Sequence, residues 1–160
     1  KGIEISKGKY IGWIHSDLQI NVNELKQYFD FILTNNSNVD YFLKGVRKNR
    51  KHIDIFFTTA QQIFNSILFN FKMFDIAAIP VLFPKKIITN IDNLPNEFSI
   101  ELYIYLQAKK MKCIEIRFPV LFFQRENGKS SWNNGILSKF RQSKRIFINS
   151  LKIKLNKKVK

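Results

Sequence analysis

The chain has 160 residues, of which 45% are apolar and 14% aromatic, and a formal net charge of +15. That apolar share is too high for a disordered chain, and the length suits one domain of roughly 100–200 residues. Cys113 stands alone, so an intramolecular disulfide is excluded; no Cys/His cluster has zinc spacing, and no run of roughly eighteen apolar residues offers a membrane span.

The first residue is Lys1 rather than Met, and no signal-peptide pattern follows it. Further sequence is therefore expected upstream. The charge is unevenly placed. All twelve acids lie at or before Glu126, against seventeen Lys and Arg, whereas Lys129 to Lys160 holds ten basic residues and no acid. Such a tail suits nucleic-acid phosphates or anionic lipid headgroups, or is a solvated Lys-rich surface.

Strands and helices alternate along the chain. Tyr10 to Ile14 is a short β-rich run, expected as a buried strand, that ends in His15-Ser16-Asp17. Asn23 to Leu33 sets Leu25, Tyr28, Phe29 and Ile32 at helical spacing before an Asn-rich turn. Val39 to Val46 reads as a second strand, ending at Arg47. Ile53 to Phe71 carries a broad apolar helical face that includes Ile53, Phe56, Phe57, Phe64 and Ile67. Arg50 and Lys51, just before it, read as surface residues. Ile76 to Phe83 is extended and interrupted by Pro80. A helix from Asn96 to about Lys110 directs Phe98, Leu102, Tyr105, Leu106 and Met111 inward. Cys113 to Phe123 reads as a strand ending at Gln124-Arg125, and a last helix covers Ile136 to Leu155. No repeat or internal domain boundary stands out.

This alternation implies an α/β sheet, and ligands of such sheets sit beyond the strand carboxyl ends. Three strands end in polar groups there: His15 with Asp17, Arg47, and Arg125. A diphosphate with a cation suits that collection.

Five short signatures in order carry a resemblance. They are Gly2-Ile3 through Gly8-Lys9-Tyr10-Ile11 with His15-Ser16-Asp17-Leu18-Gln19; Gly45-Val46-Arg47-Lys48-Asn49-Arg50; Asp75-Ile76 through Pro80-Val81-Leu82-Phe83; Pro95-Asn96-Glu97-Phe98 through Glu101-Leu102-Tyr103; and Pro119-Val120 with Arg125 through Gly128-Lys129-Ser130-Ser131-Trp132-Asn133. Together, over residues 2 to about 135, they resemble the family 2 glycosyltransferases and their polyprenyl-phosphate sugar transferase group. The resemblance implies a partial GT-A fold, a mixed sheet flanked by helices, that lacks the amino-terminal nucleotide-binding half. On this division residues 1–135 are the carboxyl-terminal part of the catalytic domain and 136–160 a basic amphipathic helical tail. Without the missing half, the 160-residue chain is expected to bind nucleotide poorly and to transfer no sugar.

The resemblance further implies metal-assisted transfer of a sugar from a nucleotide-sugar donor to a lipid-phosphate or cell-envelope polysaccharide acceptor. The departing diphosphate would be neutralised by a divalent cation, Mg²⁺ or Mn²⁺, and by fixed cations. Asp17 would hold the metal. His15 stands where the family has a first Asp; imidazole suits softer metals than Mg²⁺, so His15 is either a second ligand or a hydrogen-bonding residue at a strand end. Arg125 and Lys129 would close over donor or acceptor phosphates beside Gly128, or form a solvated turn, and Arg47 would reach an acceptor phosphate. A hydroxyl acceptor needs a base, for which Glu101 and Asp75 are the candidates; a lipid phosphate needs none. Asp92 and Glu97 are helix-start acids with either role. Trp13 is expected in packing, Trp132 near the acceptor, and His52 exposed at a helix start.

The last helix sets Leu137, Phe140, Phe147, Leu151 and Leu155 near one stripe among basic residues. It either lies on anionic membrane or packs on the catalytic domain. The expected location is cytoplasmic, peripheral at the inner membrane face if the tail engages lipid. Two rivals stand beside this reading. One is a basic nucleic-acid-binding module, opposed by aromatics at core spacings rather than in a stacking pattern. The other is a catalytically inactive, membrane-associated relative, motivated by His15 and the missing half.

Overall fold

A computed structural model describes residues 2–17, 19–35, 38–89, 91, 94–95, 99–123 and 135–155. The elements run α1 (Gly2–Ile5), β1 (Tyr10–Trp13), α2 (Lys26–Thr34), β2 (Tyr41–Lys48), α3 (His52–Phe69), β3 (Val81–Pro84), α4 (Ser99–Lys110), β4 (Ile114–Leu121) and α5 (Ile136–Lys154), with short 3₁₀ turns at Val22–Leu25 and Lys85–Ile87. The chain is an α/β protein with a four-stranded mixed sheet. It forms two compact units that interleave along the sequence: residues 1–49, 78–91 and 106–126, and residues 50–77, 92–105 and 127–160.

The first unit holds the sheet, in the order β1-β3-β2-β4. β3 runs antiparallel to both neighbours, and β2 and β4 are parallel in register from Tyr41 opposite Ile114 to Lys48 opposite Leu121. β1, β2 and β4 therefore point the same way, and their carboxyl ends share one end of the sheet. β1 lies at a sheet edge, and of its residues only Ile11 is buried, which corrects the expectation of a buried strand. Two glycines permit the close approach of β3. A Cβ on Gly12 would meet the Val81 carbonyl oxygen at 2.4 Å, and one on Gly45 would meet the Ile79 carbonyl oxygen at 2.5 Å.

α2 covers one face of this sheet. Its Tyr28, fully buried, packs with Ile20, Leu43, Ile79, Leu82 and Val120. Phe118 meets the rings of Tyr28 and Phe31 at 4.8 and 5.7 Å, and Trp13 stands edge-on to Phe83 at 5.3 Å. Phe29, one of the apolar residues at helical spacing, is exposed, because the 3.6-residue turn that aims Tyr28 and Ile32 at the sheet rotates it toward solvent.

In the second unit α3 and α5 run parallel. Phe57 meets Phe140 at 5.2 Å and Phe64 meets Phe147 at 4.7 Å; Lys139 bonds Asp54 toward one end, and Lys154 lies over the Phe69 ring at 5.7 Å toward the other. α3 stops at Asn70, whose left-handed backbone (φ 57°) lets its N–H donate to the Ser66 and Ile67 carbonyls. Polar contacts support the α4 residues of this unit: the Asn149 amide donates to Ser99 Oγ at 3.0 Å in a buried bond, and the Phe74 N–H donates to the Tyr105 hydroxyl at 3.3 Å.

Three further expectations are corrected. Met111 is exposed because α4 ends one residue earlier, at Lys110. Phe56 and Ile67 of α3 also face solvent, so the apolar face of that helix is only partly covered. Arg50 is not a surface residue: its side chain is 10% exposed and donates to Thr58 Oγ1 and the Asp54 carbonyl, 3.8 Å from Asp75. Asn96, Glu97 and Phe98, taken as the start of α4, lie outside the described residues, as do Asp92 and Trp132.

Candidate functional site

Polar residues gather where β1, β2 and β4 end. After Trp13 the chain leaves β1 through Ile14 to His15, which is exposed, and Asp17, which is half-buried. Asp17 Oδ1 accepts the Gln19 N–H at 3.3 Å, an Asx turn that bends the chain back across the strand ends. Gln19 then reaches the far edge of the sheet. Its side-chain amide donates to the Phe123 carbonyl at 3.1 Å, and the Phe123 N–H donates to the Gln19 carbonyl at 2.8 Å.

Just past its end, β4 is tied to β2, because the Phe122 N–H donates to the Lys48 carbonyl at 3.3 Å. Alternation along β2 puts Arg47 on the face that carries Leu43, and its guanidinium lies 5.9 Å from the centroid of the Phe122 ring. With β3 between them, β1 and β2 are separated by about 10 Å in the hydrogen-bonding direction. Asp17, His15 and Arg47 thus sit on one end of one sheet, held there by Gln19, Phe122 and Phe123. Gln19 and Phe123 were visible in the sequence only as parts of a motif and a strand end. Their mutual bonding depends on a separation of 104 residues and left no local signal.

Arg125 and Lys129 lie outside the described residues. Asp75 and Glu101 belong to the second unit, both buried. Asp75 sits beside Arg50 at φ 35°, its N–H donating to Gln62 Oε1 at 3.2 Å. Its neighbours are equally tethered, since the Met73 N–H donates to Ser66 Oγ at 3.0 Å. A carboxylate fixed beside a guanidinium in this way does structural work whatever else it does. Glu101 lies in the first turn of α4, where an acid complements the helix dipole.

Among the described residues no three His, Cys, Asp or Glu side chains form a group that could hold a metal by themselves. The donors at the sheet end are the Asp17 carboxylate and the neighbouring His15 imidazole. One carboxylate fits a hard divalent cation whose remaining ligands are water and phosphate oxygens, which is how Mg²⁺ is usually held. Other charged groups of the unit form ion pairs: Glu115 binds Arg117 at 2.5 Å and Lys109 at 2.8 Å, and Asp40 binds Lys86 at 2.7 Å. The Asp40 contact raises the Lys86 pKa, while burial pushes up the Cys113 thiol and the Tyr10 phenol.

Among the described residues no helix is long and apolar enough to cross a membrane. No protein-family model, curated protein or solved structure matches the chain.

Proposed function

We propose that the chain is the carboxyl-terminal part of a GT-A catalytic domain of a family 2 glycosyltransferase. The whole enzyme would transfer a sugar from a nucleotide-sugar to a lipid-phosphate or cell-envelope polysaccharide acceptor. The observation that carries this reading is the paired bonding of Gln19 with Phe123, which draws the Asp17 turn across the strand ends toward Arg47. Three of the five signature segments, near residues 17, 47 and 120, are thereby collected at one end of one sheet.

A divalent cation, when bound, supplies charge neutralisation for a departing diphosphate. Asp17 would hold it, with His15 as a second donor. Arg47 offers a planar fork that can donate two hydrogen bonds to an acceptor phosphate. Its place over the Phe122 ring favours one side-chain position before any ligand arrives, which lowers the ordering cost of binding. A phosphate acceptor is already ionised and needs no base, so this reading does not require Asp75 to leave Arg50. A hydroxyl acceptor would need a base, for which Glu101 and Asp75 are the candidates.

The net charge of +15 favours a second reading, a nucleic-acid-binding module. Amide resonances of the labelled 160-residue chain separate the two. The transferase reading predicts that Mn²⁺ broadens the signals of residues 15–19 and that Asp17→Ala removes the broadening. Broadening spread evenly over the basic surface, with steeply salt-dependent binding of single-stranded RNA, would support the nucleic-acid reading instead.

A further inference from the structure

The parallel α3–α5 pair leaves an apolar surface uncovered. Along α5 and its capping residue Leu155, Leu137, Arg141, Lys144, Ile148, Leu151 and Leu155 follow one another at steps of three or four residues, and all are exposed. They form one stripe along the helix. On α3, Phe56, Ile63 and Ile67 form a second stripe, with Ile67 77% exposed.

Both stripes face the same side. Phe56 and Ile63 each stand one residue before the Phe57 and Phe64 that meet α5, whereas Ile148 stands one residue after the Phe147 that meets α3. One residue turns a helix by about 100°. In helices running parallel, a quarter-turn back on one and a quarter-turn forward on the other point to the same flank of the pair. Asn65, a quarter-turn the other way on α3, is fully buried, so α3 has one covered flank and one open one.

We propose that this flank docks on an anionic lipid bilayer surface. The charge pattern selects that occupant. α5 carries six Lys and Arg and no acid, and two of the cations, Arg141 and Lys144, lie within the apolar stripe. Asp54, the acid of α3, is already bonded to Lys139. A bilayer surface offers acyl chains beneath a plane of phosphates, which accepts Leu, Ile and Phe together with long basic side chains that reach upward. Nucleic acid offers the phosphates with no seat for the stripe. A second copy of the chain would set the same cations against each other. The proposal stands on the helix pair alone and is independent of the transferase reading.

The test is co-sedimentation of the 160-residue chain with phosphatidylcholine vesicles, with or without phosphatidylglycerol. The chain is expected to partition onto the anionic vesicles and weakly onto neutral ones. Arg141→Glu with Lys144→Glu, and separately Ile148→Glu with Leu151→Glu, should each reduce partitioning at least about tenfold. Lys9→Glu with Lys110→Glu, the same charge change on the first unit, should reduce it less than about threefold. All these side chains are exposed, and circular dichroism checks that each variant folds. The proposal is overturned by equal losses in the α5 and control charge variants, by equal binding to neutral vesicles, or by a dimer that Ile148→Glu disperses without lipid. Tighter binding to RNA than to anionic vesicles overturns it as well.

Discussion

Gln19 and Phe123 exchange two hydrogen bonds, side-chain amide to carbonyl at 3.1 Å and N–H to carbonyl at 2.8 Å, although they follow strands at opposite edges of the sheet. The pair closes the sheet end over which Asp17 and Arg47 stand. Gln19→Ala keeps the backbone bond and loses the side-chain one, so global stability should fall by only about 1 kcal/mol in a denaturant titration. Amide exchange should rise at residues 17–19 and 122–123 while β2 stays protected. Unchanged exchange at those residues would show that the turn is held by other means.

Gly45 packs tightly against the segment that leads into β3. Its N–H donates to the Pro80 carbonyl at 3.0 Å, and a Cβ there would meet the Ile79 carbonyl oxygen at 2.5 Å and Val120 Cγ2 at 3.0 Å. The obstacle at Ile79 is backbone, which cannot rotate away as a side chain can. Gly45→Ala should therefore cost about 1–3 kcal/mol, read as a lowered urea midpoint. Gly2→Ala, where nothing lies within 4 Å, is the control and should cost little.

Asp75 and Arg50 form a largely buried ion pair at 3.8 Å, and Arg50 also donates to Thr58 and to the Asp54 carbonyl. Removing one partner leaves the other charge buried, at a cost of about 3–5 kcal/mol. Asp75→Asn should destabilise the second unit on that scale, and the Arg50→Met/Asp75→Leu double variant should recover part of the loss. A near-neutral Asp75→Asn would leave Asp75 available as a base.

Alkaline pH should weaken the first unit through Tyr28. Burial raises its phenol pKa above the ordinary 10.0; the Arg117 charge lowers it by less, and Glu24 adds a small raise. The folded state therefore keeps a proton that the unfolded chain releases. The contribution is full below the unfolded pKa near 10 and is lost as pH rises toward the folded value. The urea midpoint should fall above about pH 10. Tyr28→Phe, which gives up only a long 3.4 Å bond to the Pro80 carbonyl, should flatten that fall. An equally steep fall in Tyr28→Phe would assign it to Tyr10 or Cys113, whose pKa values are raised in the same direction.

Much of this arrangement was legible in the sequence because its causes are local. The apolar period of α5 gave its ends to within a residue, and the runs around residues 10, 41 and 114 marked β1, β2 and β4, although β4 ends at Leu121, short of the expected Phe123. What was not legible depends on partners distant in the chain. The solvent-facing Phe56 and Ile67 share one helix with the packed Phe57 and Phe64, and periodicity alone does not say which apolar stripe will be covered. Arg50 read as a surface residue because its partner Asp75 arrives only after α3. The edge position of β1 follows from the strand order, which no local pattern encodes. At the candidate site the polar tips were visible, while the Gln19–Phe123 tie that assembles them was not.

The most direct measurement is sugar transfer by the protein produced from the whole reading frame that contains this chain, with Asp17 intact or as Asp17→Asn. Asparagine keeps an oxygen to accept the Gln19 N–H but removes the charge, so folding should be unchanged within about 0.5 kcal/mol. The account predicts transfer from a nucleotide-sugar to a lipid-phosphate or glycan acceptor that depends on Mg²⁺ or Mn²⁺, falls about a hundredfold or more in Asp17→Asn, and is absent from the 160-residue chain alone. Transfer that survives Asp17→Asn undiminished, or no transfer by the intact protein with any nucleotide-sugar, would contradict it.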